Sequence, residues 1–320
     1  MSSDLITIQV LICTHNRVEL LERTLQFINK AKKPNNCSIS LFIVANACTD
    51  ETITFLKAYQ NTETELKHLP LTWFEEPKPG KSNALNSAIP KLKATITAMV
   101  DDDHRVDENY FVALNNAFTH YPDADFFCGK IIPDWNGSEP HWIHDQGKYR
   151  IYPLPVPRFD LGEQAIQVNR TIAVPGGGNL AIKTKLFKVI GEFSTELGPT
   201  GHNLGGGEDY DWVIRAYDAK AKLQYIPGMI QFHYVDNDRL VLSYLLKKSF
   251  ERTSSVMQLS QAAQTYSGFL FPRYLLKKIV IYLFHFIFSL TNSAKRFYLM
   301  RLAAAFGEIN AFLIVRKTKY

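Results

Sequence analysis

The stretch TITAMVDDDH, residues 95–104, is an apolar, β-branched run that stops abruptly at three adjacent aspartates. Residues 95–100 read as a buried strand, since a short apolar run bounded by polar residues fits between two covered faces of a sheet. On an extended strand end Asp101 and Asp103 point to the same side, where their charges repel. Carboxylates crowded in this way require water or a cation. A hard divalent ion, Mg²⁺ or Mn²⁺, takes carboxylate oxygens and keeps positions for phosphate oxygens. Taken alone, the triplet is equally a solvated acidic turn or a helix N-cap.

Toward the N-terminus the same arrangement recurs. Residues 6–13 (ITIQVLIC) form an apolar run, followed by Thr14-His15-Asn16-Arg17 and a helical pattern at Leu20, Leu21, Leu25 and Ile28. Residues 40–45 (SLFIVA) lead into Asn46-Ala47-Cys48-Thr49-Asp50 and a helix over 51–59. Residues 71–74 precede Pro79-Gly80-Lys81-Ser82 and a helix through Ala84, Leu85 and Ala88. Strand, polar loop and helix in alternation predict a parallel α/β sheet, whose ligands bind beyond the carboxyl ends of the strands. His15, Asn46, Lys81 and Asp101 therefore share one rim.

Toward the C-terminus the pattern loosens. Residues 125–132 read as another strand, and residues 133–170 as a long aromatic loop, a length that in a compact domain points to function. Gly176-Gly177-Gly178-Asn179 precedes a short apolar run and a helix near 185–190. A glycine-rich segment over 198–207 opens into Glu208-Asp209-Tyr210-Asp211 and a helix through Trp212, Val213, Ile214 and Ala216. Residues 223–226 and 229–234 read as two short strands.

From residue 240 onward the chain reads as helical. Residues 269–315 are strongly apolar and aromatic, punctuated by Lys277-Lys278, Lys295-Arg296 and Arg301. The apolar core over 279–290 is too short for an ordinary membrane span and contains His285. Basic flanks around an aromatic, amphipathic stretch predict a helix lying in the membrane interface. The alternative is a helical pair packed on the preceding domain or on a partner. The expected division is a domain over 1–238 and a helical segment over 239–320.

Composition sets the outer bounds. With 46% hydrophobic and 21% charged residues the chain is globular, which excludes disorder for most of it. A net charge of +5 is too small to single out a partner, and no nucleic acid is expected. Cys13, Cys37, Cys48 and Cys128 have no CxxC spacing, so they read as reduced thiols rather than zinc ligands. Reduced thiols, and residues 1–7 without a charged-then-apolar leader, predict a cytoplasmic location.

The ordered set LICTHNR (11–17), IVANACTDET (43–52), PGKSNALN (79–86), MVDDDH (99–104), GGGNLAI (176–182) and GGGEDYDWVIR (205–215) resembles the family 2 glycosyltransferases over residues 6–235. The resemblance implies the GT-A fold, a Rossmann-like nucleotide-binding sheet flanked by helices, here with a C-terminal helical segment. It implies a hexosyltransferase-type enzyme: a nucleotide-sugar donor, a divalent metal at a DxD motif, and inversion at the anomeric carbon. Residue by residue, Asp101 matches a contact to the donor ribose or metal-bound water, and Asp103 a ligand of metal and diphosphate. Asp102 lies between them in the donor site. Asp209 matches the catalytic base, and His233 a third metal ligand. Thr14, Asn16 and Arg17 match the first nucleotide loop, Asn46 a base contact, and Lys81 a basic residue of the nucleotide pocket. Many relatives carry an acidic pair where this chain has Ala45-Asn46, so UDP is expected by family frequency alone.

The chemistry makes matching demands. A sugar hydroxyl is a poor nucleophile at neutral pH and needs a carboxylate to take its proton, while a metal stabilises the departing diphosphate. Each residue also has a plainer reading. Glu208-Asp209 would cap a helix, Arg215 would either orient those carboxylates or sit on a surface, and His233 would be a structural histidine. Trp135, Trp142, Tyr149 and Tyr152 would stack on acceptor sugars or pack their loop. The expected acceptor is a glycan or lipid-linked glycan at the inner membrane face, in cell-surface polysaccharide synthesis. The competing readings are a non-catalytic sugar-nucleotide scaffold on the same fold and a nucleotidyltransferase. The latter would carry a glycine-rich triphosphate loop where this chain has Thr14-His15-Asn16-Arg17.

Overall fold

The structure, a computed structural model, describes residues 5–62, 65, 68–197, 207–259 and 273–317. The chain divides into two compact units, Met1–Pro133 with Arg158–Tyr234, and Asp134–Pro157 with Val235–Tyr320. The division therefore falls at Tyr234 rather than 238, and residues 134–157 belong with the C-terminal helices. The reason lies in packing: Ile143, Ile151 and Val156 share a core with Val235, Leu240, Leu245 and Met300. A pairing across such a sequence distance leaves no local periodicity to read.

The first unit is built on β1 (Ile6–Thr14), β2 (Cys37–Asn46), β3 (Leu71–Glu76), β4 (Ile96–Met99), β5 (His104–Val106), β6 (Phe126–Asp134), β7 (Ile166–Val168), β8 (Leu180–Lys183) and β9 (Leu223–Tyr234). Its helices are α1 (Val18–Lys30), α2 (Thr52–Thr62), α3 (Lys81–Ala88), α4 (Tyr110–His120), α5 (Leu186–Ile190) and α6 (Glu208–Asp218). β1 runs parallel to β2 in the register Ile6↔Cys37 to Thr14↔Ala45, and parallel to β4 with Leu11 opposite Met99. The expected parallel block is thus β3-β2-β1-β4. Past β4 the order continues β8-β6-β9-β5, with β7 also on β9, and β4–β8, β6–β8, β5–β9 and β7–β9 pair antiparallel. The sheet is mixed: the expected parallel block carries an antiparallel half built from the later strands. The two short strands read over 223–234 are one strand. Pro227 lies between the stretch that pairs with β7 and the stretch that pairs with β5, so the ladder survives a residue without an N–H.

Alternation along β1 shows why both faces are covered. Ile8, Val10 and Ile12 enter a core with Leu21, Leu25 and Ile28 of α1 and with residues of α2 and α4. Leu11, on the opposite face, enters a core with Ala84 and Leu85 of α3 and Trp212 and Val213 of α6. Each fully buried aliphatic side chain of this kind contributes about 1.5–3 kcal/mol, and together they fix the height of every strand end. At Gly129 the backbone of Met229 fills the space a Cβ would need, so β6 and β9 approach as only a glycine allows.

The second unit contains α7 (Leu242–Leu259), α8 (Arg273–Phe288) and α9 (Asn292–Lys317). The carbonyl of Phe250 fills the space of a Cβ at Gly307, which brings α7 and α9 into close contact. Lys278 of α8 pairs with Glu308 of α9 at 2.8 Å. Leu275 is the buried side chain of α8, while Leu276, Val280, Leu283, Phe284, Ile287 and Phe288 stand exposed at helical spacing. By length and composition, 292–314 of α9 is apolar enough to cross a membrane, at mean hydropathy 1.4, where the sequence reading considered 279–290. The glycine-rich run over 198–206 and residues 260–272 lie outside the described residues.

Candidate active site

The segments that follow β1, β2, β3 and β4, with His233 of β9, line a cleft of about 330 Å³. Thr14, Asn16, Arg17, Asn46, Lys81, Asp101, Asp102, Asp103 and His233, all expected from sequence, line it. Burial of the strands and helices beneath holds these loops at one level.

The three aspartates do different things. Asp101 Oδ1 accepts from Lys81 Nζ at 2.6 Å. Burial is the largest single influence and would raise this carboxyl, but the charge and hydrogen bond of Lys81 and the nearby His104 and His233 together outweigh it and hold Asp101 far below the usual carboxylate range. Asp102 turns inward, accepting from Thr14 Oγ1 at 2.8 Å and Arg17 Nη1 at 3.1 Å. Burial, then the neighbouring Asp103 charge, pushes it up to about 6. Its role is to fasten the first loop to the acidic turn. Asp103 meets Arg17 Nη1 at 3.3 Å and lies 3.9 Å from His233 Nε2. Thr24 Oγ1, from α1 below, reaches the carbonyls of Asp102 at 2.8 Å and His104 at 2.7 Å and fixes the turn from beneath.

Asn16 clasps the next loop, accepting from the backbone N–H of Thr49 at 2.6 Å and of Asp50 at 3.3 Å. Asn46 is occupied in the same manner. Its amide donates to the carbonyls of Glu76 and Lys78 and accepts from the N–H of Gly80. It holds the loop before α3, with both amide hydrogens on backbone carbonyls. Lys81, at the start of α3, feels Asp101, Glu208 and Asp209 together. Their charges raise its ammonium despite the opposing effect of burial.

Asp209 begins α6 and joins the acidic turn through the glycine run. Its Oδ2 accepts from the N–H of Gly177 at 2.5 Å and its Oδ1 from the N–H of Tyr210 at 2.7 Å. A Cβ on Gly177 would sit 3.0 Å from Asp209 Cβ, and one on Gly178 only 2.8 Å from Asp101 Oδ2 and 2.9 Å from His104 Cε1. The glycines are spacers between the two acidic clusters. Glu208 is buried, and burial followed by the Asp209 charge raises its carboxyl.

β5 and β9 complete the site. Their register sets His104 opposite His233, with ring centroids 4.7 Å apart. Nitrogens of both rings and an oxygen of Asp103 lie within 4.8 Å of one another. Burial pushes His233 down to about 4, so its ring is neutral near pH 7. Nε2 of His104 is buried without a hydrogen-bond partner, and it lies 3.9 Å from both Asp101 and Asp103. An orphaned basic nitrogen among carboxylates is what a divalent cation requires, so the residues fit a metal. His104 is absent from the sequence expectation, although it adjoins the triplet. Only the cross-strand register makes it visible.

Other expectations resolve differently. Arg215 pairs with Asp211 and donates to the carbonyls of Ile190 and Glu192, so it braces α6 rather than orienting Glu208 or Asp209. Trp135 packs on His144, Trp142 lies against Arg296, and Tyr149 meets Phe297. Those three rings pack the second unit, and Tyr152 is the exposed one, under Arg252.

Glycosyl transferase family 2 matches residues 9–191 of the chain. A sequence search of curated proteins finds no match. Among solved structures, S. aureus TarS aligns with 98% of this chain and 55% of its own, at 15% identity and TM-score 0.55. This chain thus spans about half the length of that protein. TarS 1-349 in complex with UDP-GlcNAc aligns over 98% and 93% of the two chains, at 16% identity and TM-score 0.55. Mannosyltransferase PcManGT from Pyrobaculum calidifontis, in complex with GDP-Man and Mn²⁺, aligns over 95% and 86%, at 16% identity and TM-score 0.56. At these identities the likeness speaks to fold.

Proposed function

The chain belongs to glycosyl transferase family 2, with a GT-A fold, and on that premise we propose that it transfers a hexose from a nucleoside-diphosphate donor to a glycan or lipid-linked acceptor, with inversion. The observation that carries this reading is the glycine bridge: Asp209 grips Gly177 while Gly178 lies against Asp101 and His104. A proton acceptor and a diphosphate-binding turn thereby stand on either side of one backbone. Asp209 takes the proton of the acceptor hydroxyl as that oxygen attacks the anomeric carbon. The bond from that carbon to the diphosphate oxygen breaks, and its electrons leave with the diphosphate. Asp103 and His233, beside Asp101, would hold a divalent cation, which would supply Lewis-acid stabilisation of that charge. Thr14, Arg17 and Lys81 line the nucleotide side, with Asp101 toward the ribose. UDP-GlcNAc and GDP-Man in the structural neighbours support the donor class, and UDP is our default for the base.

Asp209→Asn keeps the side chain's size and one of its two backbone hydrogen bonds but removes the base. Donor affinity by calorimetry is expected to be unchanged and transfer to fall by about 10²–10⁴. Near-normal turnover would remove Asp209 from this role. Screening nucleotide sugars for metal-dependent hydrolysis identifies the donor.

The exposed stripe on α8 supports attachment to the inner face of the plasma membrane, where cell-surface glycans are assembled. Lys277 on the same helix and Lys295 and Arg301 on α9 suit anionic headgroups.

A further inference from the structure

His104 is 1% exposed, and its two ring nitrogens have opposite fates. Nδ1 lies 2.7 Å from Oε1 of Gln231, 127 residues further along the chain. Gln231 cannot flip. Its Nε2 lies within reach of the carbonyl of Met99 at 3.1 Å, an atom that only accepts, and of Tyr110 Oη at 3.2 Å and Asn179 Oδ1 at 3.1 Å. Asn179 is held in turn, donating to the carbonyls of Lys130 and Met229. The amide oxygen of Gln231 must therefore face His104, so Nδ1 carries a hydrogen, and the neutral tautomer this selects is the one with its lone pair on Nε2. His233 is fixed by the same logic, with Nδ1 donating to the carbonyl of Tyr234 at 2.8 Å. Both imidazoles thus commit Nδ1 to an acceptor and turn Nε2 toward Asp103.

We propose that His104 is a second imidazole ligand of the metal in this site, that Gln231 is the positioning residue that fixes its tautomer, and that the two nitrogen donors select Mn²⁺ over Mg²⁺. The inference rests on the metal-dependent reading above. Mg²⁺ prefers an oxygen shell and sheds water reluctantly, whereas imidazole suits the later divalent ions. Outer partners that orient a ligating histidine typically contribute 10–100-fold to metal affinity.

The test is pulsed EPR of Mn²⁺ bound to the full chain, counting histidine nitrogen couplings, with calorimetry of Mn²⁺ and of Mg²⁺ and melting of each metal-free variant. Two coupled histidines are expected in the wild type and one in His104→Ala and in His233→Ala, with Mg²⁺ bound at least about tenfold more weakly than Mn²⁺. Gln231→Leu keeps the imidazole but loses its lock, so Mn²⁺ affinity falls about tenfold or more. Gln231→Glu still accepts from Nδ1 and, as the neutral acid with its O–H toward the Met99 carbonyl, retains both couplings. A merely structural Gln231 would lower the melting temperature in both variants and leave the coupling count alone. A single coupling in the wild type, unchanged by His104→Ala, overturns the inference and leaves the metal reading standing. Failure of the wild type to bind Mn²⁺ overturns the metal reading itself.

Discussion

At the scale of single residues, the site depends on where identical side chains are sent. Asp101, Asp102 and Asp103 are one residue type three times over, yet one meets Lys81, one is buried under Thr14 and Arg17, and one faces the histidines. Their composition was readable in the sequence and their destinations were not, because these depend on Thr14, Lys81 and His233 arriving from distant segments. Gly178 is the complementary case, a residue whose missing side chain makes the room. Its requirement is spatial, since a Cβ would meet Asp101 and His104 under 3 Å. Gly178→Ala is expected to cost about 1–3 kcal/mol of stability, as overpacking does. It should also weaken Mn²⁺-dependent nucleotide binding at least tenfold in calorimetry, and unchanged affinity would show that the two side chains have room to move.

At the scale of elements, the parallel half of the sheet was legible because each strand, loop and helix is written consecutively. The antiparallel half was not. β9 pairs with β5 and β7, and only that pairing reveals Gln231 and His104 as partners. A second element-level consequence concerns Lys248 on α7. Burial, with Arg239 and Arg252 nearby, lowers its ammonium to about 8, although it donates to the carbonyl of Pro155 at 2.7 Å. The folded chain therefore gives up this proton more readily than the unfolded chain does. Between about pH 8 and the ordinary lysine value the unfolded state binds more protons, so this group's contribution to stability rises with pH and is at its worst below pH 8. Lys248→Met is expected to melt a few degrees above the wild type at pH 7, with the gap closing by pH 10. A gap independent of pH would exclude a penalised ammonium.

At the scale of the whole molecule, the amphipathic character of the C-terminal segment was evident from composition, but the capture of residues 134–157 by that segment was not. Membrane attachment is tested on the intact chain by flotation with anionic vesicles. The wild type is expected to float. Phe284→Ser combined with Phe288→Ser is expected to reduce partitioning more than tenfold, since each exposed ring offers about 1.5–3 kcal/mol of burial. A wild type that ignores the vesicles would sink the proposal. The turn between β4 and β5 carries one more consequence, which is metric rather than chemical. Deleting any one of the three aspartates would leave an acidic pair that still looks like a metal motif on paper. It would also shorten the span from β4 to β5 by one residue, and a one-residue slip in a strand sends every side chain to the opposite face. His104 would then no longer stand across from His233. The triplet acts as a length standard for the sheet, and substitution is the gentler injury to it.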